Sequence, residues 1–151
     1  MELMRLESAA AKILAVATDR GAALREIAQL LDSRVEHYDW IGFYLVDGRE
    51  LVLGPYVGAP TEHVRIPFGR GVCGQVAESG ETLVVPDVAA EANYLSCGSA
   101  VRSEVVIPIH ADGMVVAQLD IDSHTRDPFS RAEVEFLQRL CVRLARLWSE
   151  T

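Results

Sequence analysis

Two segments of this sequence have the pattern of β-hairpins, and they limit its possible folds more than any other feature. Residues 40–46 and 51–57 are rich in aromatic and β-branched side chains, with "DG" between them. The segment "EVVIPIHADGMVVAQLDID" repeats this arrangement around "ADG". An Asp-Gly pair between two such runs is a strong hairpin signal. Because hairpins join antiparallel strands, the sequence predicts an antiparallel sheet.

Helical periodicity precedes and follows these strands. Apolar residues recur at helical spacing over 3–17 and again over 24–35, and "TDRG" separates the two segments. Gly21 in this connection could either end the first helix or only break the pattern. Ser130 and Glu133 form a capping box at the start of a last helix. Its apolar face consists of Phe136, Leu137, Leu140, Cys141, Leu144 and Trp148.

Shorter elements and one long loop lie between the hairpins. We predict a strand and a Gly-rich turn in "RIPFGRG", a helix from Val72 to Glu78, and a strand in "ETLVV" that Pro86 ends. Residues 88–102 should form a long irregular loop, a kind of segment that is often functional. With the terminal helices on one face of the sheet, the prediction is one α+β domain over residues 1–151, with about six antiparallel strands.

Composition and charge argue against several classes of function. The chain has 151 residues, of which 50% are hydrophobic, and a net charge of −8. An acidic chain without a Lys/Arg run is poorly suited to nucleic acid, and no apolar run approaches the roughly 18 residues of a membrane span. Glu2 and Glu7 stand where a secretory signal would be basic. We therefore expect a cytoplasmic protein that binds neither nucleic acid nor membrane.

Carboxylates near the second hairpin are the first candidate site. In "VVAQLDID", alternate side chains share a face of the strand, so Asp120 and Asp122 point the same way, about 7 Å apart. Glu104 opens the preceding strand and should lie opposite them. A solvated outer face would explain the pattern, although like charges on one face repel each other. Three buried carboxylates would instead suit an ammonium group, a metal, or a proton donor with a raised pKa. Because no histidine stands nearby at ligand spacing, we expect no metal.

The three cysteines occupy different contexts, and their odd number argues against a structural disulfide framework. Cys97 lies in the polar stretch "YLSCGSAVRSE", seven residues before Glu104, where a buried thiol is not expected. Cys73, in "GRGVCGQV", opens a helix whose N-terminus could lower the pKa of the thiol. Packing against the sheet would explain Cys73 equally well. Cys141 lies on an apolar helix face and should be an inert core thiol.

Two aromatic residues of the first hairpin complete the set of candidates. Trp40 and Tyr44 stand at alternating positions of one strand and therefore share a face. They could either pack in the core or form the wall of an apolar pocket.

Taken in order, these segments resemble the free methionine-(R)-sulfoxide reductases, which are single-domain enzymes of the GAF fold. The resemblance rests on "DWIGFYLVDGRELVLGPYVG", "RIPFGRGVCG", "VPDV", "SEVVIPI" and "LDIDS", and it covers residues 38–123 closely. It implies a single GAF domain that reduces the R epimer of the free amino acid methionine sulfoxide, not of protein-bound residues. It also implies a homodimer, which is typical of the family.

The resemblance implies roles for the candidate residues. The family's catalytic cysteine matches Cys97, and its "GVCG" cysteine matches Cys73. The aromatic wall that holds the substrate's methyl group matches Trp40 most directly, with Tyr44 on the same face. The family's carboxylates match Glu104, Asp120 and Asp122.

Two departures from the family pattern concern the thiols and the loop. Many members carry a third cysteine ten positions before the "GVCG" cysteine, where this chain has His63, so Cys73 is left as the resolving candidate. The chain also has "NYLSCGS" where members often show a "GHIACDS"-like run, a difference that affects contacts to the substrate's amino and carboxylate groups.

The mechanism that the resemblance implies uses thiols and no cofactor. The Cys97 thiolate attacks the sulfoxide sulfur, with Glu104 and Asp122 as candidate proton donors and Asp120 orienting them or holding the substrate ammonium. Methionine leaves and Cys97 becomes a sulfenic acid, which Cys73 converts into a Cys73–Cys97 disulfide. A thioredoxin-type reductant then restores both thiols.

Two other functions remain open from the sequence. One is a non-catalytic GAF sensor that binds a small molecule. The other is a thiol-based redox switch, which needs the cysteines but not the acidic residues. Neither would turn over free methionine sulfoxide.

Overall fold

The computed structural model of the chain describes residues 2–95 and 100–149. Its strands are β1 (Trp40–Asp47), β2 (Glu50–Val57), β3 (Arg65–Pro67), β4 (Leu83–Val85), β5 (Ser103–Ala111) and β6 (Met114–Ser123). Within these residues they form a six-stranded antiparallel sheet in the order β3-β2-β1-β6-β5-β4. The α-helices are α1 (Leu3–Ala15), α2 (Arg20–Arg34), α3 (Gly71–Ser79) and α4 (Arg131–Leu144). The predicted α+β architecture is confirmed.

Both predicted hairpins are present, and their turns have the expected chemistry. Asp112 and Gly113, between β5 and β6, have φ values of 53° and 76°. Positive φ at both central residues is the type I′ conformation, whose twist matches that of the flanking strands. The turn pairs Ala111 with Met114, and a one-residue register shift between Ile109 and His110 then brings Glu104 opposite Asp122. The predicted proximity of Glu104 and Asp122 is confirmed.

The sheet is covered on both faces, and each face has its own apolar cluster. On one face α1, α2 and α4 pack against strand residues that include Phe43 and Leu119. Cys141 of α4 is 2% exposed in this layer, as predicted for a core thiol. On the opposite face α3 packs over a second cluster that includes Tyr44 and Val106. By packing on this face, α3 encloses the candidate functional site.

The second helix begins earlier than its apolar pattern predicts. It starts at Arg20 because the Asp19 side chain accepts a hydrogen bond from the backbone N–H of Ala22 at 2.8 Å, which caps the helix. Gly21 therefore lies in the first turn of α2 and does not end α1, which ends at Ala15. In the described part of the chain, no helix combines the length and apolarity that a membrane span requires.

Candidate functional site

Glu104, Asp120 and Asp122 lie on the face of the sheet that α3 covers. The three residues are 3%, 1% and 1% exposed. They therefore do not lie on a solvated outer face, which was the alternative interpretation of their spacing. The physical reason is α3, which packs across β5 and β6 and excludes water from this face. The three carboxyl groups are therefore held in an environment that disfavours charge.

The same helix brings the thiol of Cys73 to the carboxyl groups. Its Sγ atom lies 3.9 Å from Oε2 of Glu104. One sulfur or oxygen atom from each of Cys73, Glu104 and Asp120 lies within 4.8 Å of the other two. Nε2 of Gln118 donates a hydrogen bond to the carbonyl oxygen of Cys73 at 3.1 Å, which ties this turn of α3 to β6. The alternation in "VVAQLDID" predicts that Gln118 lies on this face, but it indicates no role for the side chain.

Burial favours the protonated forms of two groups in this cluster. It raises the pKa of the Asp120 carboxyl above its ordinary value, although hydrogen bonds with Glu104 and Cys73 act in the opposite direction. Burial also raises the pKa of the Cys73 thiol well above its ordinary value, and the charges of Asp120 and Glu104 raise it further. The suggestion that the N-terminus of α3 lowers the pKa of Cys73 is therefore wrong. Desolvation and negative neighbours outweigh the helix dipole here.

Trp40 and Tyr44 lie beside the carboxyl groups on the same face of the sheet. In the register between β1 and β6, Trp40 pairs with Asp122 and Gly42 pairs with Asp120. The two aromatic rings have centroids 6.4 Å apart. A Cβ atom on Gly42 would lie only 2.3 Å from the Trp40 ring, so glycine is what allows the indole to lie over this strand. A glycine inside a strand is a known signal of such a close approach.

Asn93 ties the loop between β4 and β5 to the start of α3. Its Oδ1 accepts a hydrogen bond from the backbone N–H of Gly71 at 2.9 Å. Its Nδ2 donates to the carbonyl oxygens of Gly69 at 3.1 Å and of Gly71 at 3.3 Å. The sequence offered no signal for these contacts, because an asparagine in an irregular loop more often serves a local turn.

A small cavity lies between this loop and the sheet. Cys73, Glu104 and Asp120 line it together with Tyr44 and Leu95. Its volume is about 10 Å³ for the centre of a water-sized sphere, which is room for about one water molecule. Cys97, the predicted nucleophile, lies outside the described residues.

The arrangement combines a neutral thiol, carboxyl groups in a dry environment and an aromatic wall. A buried carboxyl with a raised pKa can hold a proton near neutral pH and donate it to a bound oxygen. The aromatic rings can contact an apolar group of a ligand. The same thiol and carboxyl groups are also potential metal ligands.

Comparison with known proteins places these features in a family context. Residues 19–147 match the model of the GAF domain family. The chain is 34% identical over 130 residues to the free methionine-R-sulfoxide reductase of Escherichia coli, across 86% of this chain and 78% of that protein.

Two solved structures are similar over nearly the whole chain. One is the free methionine-R-sulfoxide reductase from Neisseria meningitidis in complex with its substrate, with 39% identity and a TM-score of 0.87, covering 97% of this chain and 85% of that one. The other is the reduced form of fRMsr from Staphylococcus aureus, with 32% identity and a TM-score of 0.92, covering 98% and 96%.

Proposed function

Because the chain belongs to the GAF domain family, and within it to the free methionine-R-sulfoxide reductases, we propose that it reduces free methionine-(R)-sulfoxide to methionine by a thiol mechanism. The observation that carries this proposal is the buried cluster of Cys73, Glu104 and Asp120, which lines one cavity together with Leu95, two residues before Cys97 in the chain. A resolving thiol and proton donors are thereby available on the same side of the sheet.

The first step is attack by Cys97. Its thiolate attacks the sulfoxide sulfur, the S–O bond of the substrate breaks, and the oxygen is transferred to Cys97 as a sulfenic acid while one proton is taken up. The pKa of Cys73 supports Cys97 in this role, because a buried thiol with a strongly raised pKa is a poor source of thiolate.

A protonated carboxyl supplies the proton to the departing oxygen. The sequence favours Glu104 and Asp122 as donors, and the raised pKa of Asp120 adds this residue as a third candidate. A neutral carboxyl next to the developing negative charge on oxygen lowers the energy of the transition state. The remaining carboxylates then hold the substrate ammonium.

Substrate binding requires a change at the cavity. Methionine sulfoxide is far larger than the single water molecule for which the cavity has room. Leu95 lines the cavity, so we expect its side chain to move away when substrate enters. The methyl group of the substrate would then contact Trp40 and Tyr44.

Recycling uses Cys73 in preference to Cys141. Cys73 is on the α3 side of the sheet, where Leu95 of the Cys97 loop also packs, whereas Cys141 is in the cluster on the opposite face. The Cys73 thiol condenses with the Cys97 sulfenic acid, which releases water and forms the disulfide. A thioredoxin-type dithiol then supplies two electrons and two protons, in the cytoplasm and without another cofactor.

One activity assay distinguishes an enzyme of this kind from a sensor or a redox switch. Protein, dithiothreitol and each epimer of free methionine sulfoxide are mixed, and methionine is followed by chromatography. We expect many turnovers with the R epimer and none with the S epimer. A protein that binds the amino acid without releasing methionine would instead be a sensor. Sedimentation of the same sample tests the expected homodimer.

A further inference from the structure

The cluster of Cys73, Glu104 and Asp120 has the properties of a metal site as well as those of a reaction site. These residues belong to α3, β5 and β6. A prediction based on the spacing of ligands along the sequence therefore did not identify them as a metal site. One potential ligand atom from each lies within 4.8 Å of the other two, and all three residues are at most 6% exposed.

A second observation points to a ligand at this position. Oδ1 of Asp120 is buried and has no hydrogen-bond partner among the residues that the structure describes, although the residue is only 1% exposed. Buried polar atoms are normally satisfied, so an unsatisfied oxygen on a residue that lines a cavity indicates a missing partner. The cavity has space for about one water-sized particle, which is enough for a single ion.

From this geometry we propose that Cys73, Glu104 and Asp120 bind one Zn²⁺ ion when Cys73 is reduced. A thiolate with two carboxylates fits Zn²⁺ and excludes Mg²⁺ and Ca²⁺, which prefer oxygen ligands alone. The fourth position is open to water. The ion also neutralises three acidic groups that are otherwise buried together, which gives it a clear electrostatic advantage over water.

The distance between Cys73 and Glu104 is close to that of two ligands of one zinc ion. Tetrahedral zinc with ordinary Zn–S and Zn–O bond lengths places sulfur and oxygen ligands about 3.6 Å apart. The measured distance between Sγ of Cys73 and Oε2 of Glu104 is 3.9 Å. This pair is therefore within a few tenths of an ångström of the distance in a zinc site, and Asp120 completes the cluster within 4.8 Å.

Zinc binding has a consequence that rests on the proposed function. The ion would occupy the resolving thiol and two of the carboxyl groups that take part in the reaction. Methionine sulfoxide and Zn²⁺ should therefore compete, and zinc should inhibit turnover. The binding itself does not depend on the reaction.

Calorimetric titration of the reduced, metal-free protein with Zn²⁺ tests the site directly. We expect one ion per chain, with an affinity that falls as the pH is lowered, because the thiol and the carboxyl groups must lose protons. Mg²⁺ should give no binding. Cys73→Ser and Asp120→Asn should each weaken zinc binding by at least about tenfold. Circular dichroism checks that both variants fold.

Two variants provide matched controls. Cys141→Ser changes the buried thiol on the opposite face and should bind zinc like the unaltered protein. Cys97→Ser should also keep the affinity while turning over no substrate, which separates a failure of the zinc site from a failure of the proposed reaction. Equal affinity in all four variants would mean adventitious binding elsewhere, and no binding to the unaltered protein would mean that the cavity holds only water. Either result overturns the proposal.

Discussion

The thiol of Cys73 lies 3.9 Å from the carboxyl group of Glu104, in a part of the protein from which water is excluded. The first consequence is electrostatic, because a thiolate here would face acidic neighbours without solvent. The second concerns the roles of the cysteines, since a thiol held neutral is a poor nucleophile for the first attack on the sulfoxide.

Cys97→Ser should abolish turnover of free methionine sulfoxide. A serine hydroxyl is a far poorer nucleophile than a thiolate, and it cannot form a disulfide. Methionine release under steady-state conditions is the measurement. If the variant keeps a tenth of the activity or more, Cys97 is not the nucleophile.

Cys73→Ser should stop recycling but not the first reaction. Without reductant, the variant should release one methionine per active site and accumulate a Cys97 sulfenic acid that dimedone traps. Turnover with thioredoxin should fall sharply, and dithiothreitol should partly restore it.

Cys141→Ser is the control for this experiment, because it changes a buried thiol on the other side of the sheet. Its activity should be nearly unchanged. Peptide mapping of the unaltered protein after one turnover should show a Cys73–Cys97 disulfide, and a bridge to Cys141 would contradict the scheme.

Glu104→Gln and Asp122→Asn should lower kcat much more than they raise KM. Each substitution keeps the shape of the side chain and removes its ionisable proton, so an effect on the transition state appears in kcat. Steady-state kinetics over a range of pH gives the answer. A higher KM at constant kcat would show that these residues only hold the substrate.

Asp120→Asn should change how stability depends on pH. Because burial raises the pKa of Asp120 in the folded state, the folded state binds a proton more tightly than the unfolded state. The free energy of unfolding therefore falls as the pH rises from the ordinary pKa of an aspartate to the raised value. Asparagine removes this contribution, so urea unfolding should show a smaller decrease over that range. Asp112→Asn, in the exposed β5–β6 turn, is the matched control and should retain the decrease.

Asn93→Ala should slow formation of the disulfide. The side chain makes hydrogen bonds to Gly69 and Gly71 that hold Asn93, four residues before Cys97 in the chain, against the start of α3. Loss of this positioning should reduce the rate by roughly tenfold or more, since small displacements of reacting groups have large effects. Rapid mixing with substrate, followed by acid quenching and thiol counting, measures the rate. An unchanged rate with an unchanged fold would show that Asn93 is not a positioning residue.

The local elements of this protein are determined by the sequence itself. The Asp112-Gly113 turn and the alternation of residues 115–121 are enough to predict the second hairpin and to place Glu104 near Asp120 and Asp122, because turn geometry and the period of a strand are local properties. The register shift between Ile109 and His110, which pairs Glu104 with Asp122, was not predicted from the sequence. The capping box of Ser130 and Glu133 likewise predicts the start of α4, and both of its hydrogen bonds are present.

The environment of the candidate site was decided only by the tertiary structure. Spacing along β6 could not show whether Asp120 faces water or another element, and the placement of α3 over that face buries it. The same packing raises the pKa of the Cys73 thiol, although its position at the N-terminus of a helix predicts a lowered pKa. Burial and the approach of charges depend on contacts between residues far apart in the chain, and no local pattern in the sequence encodes them.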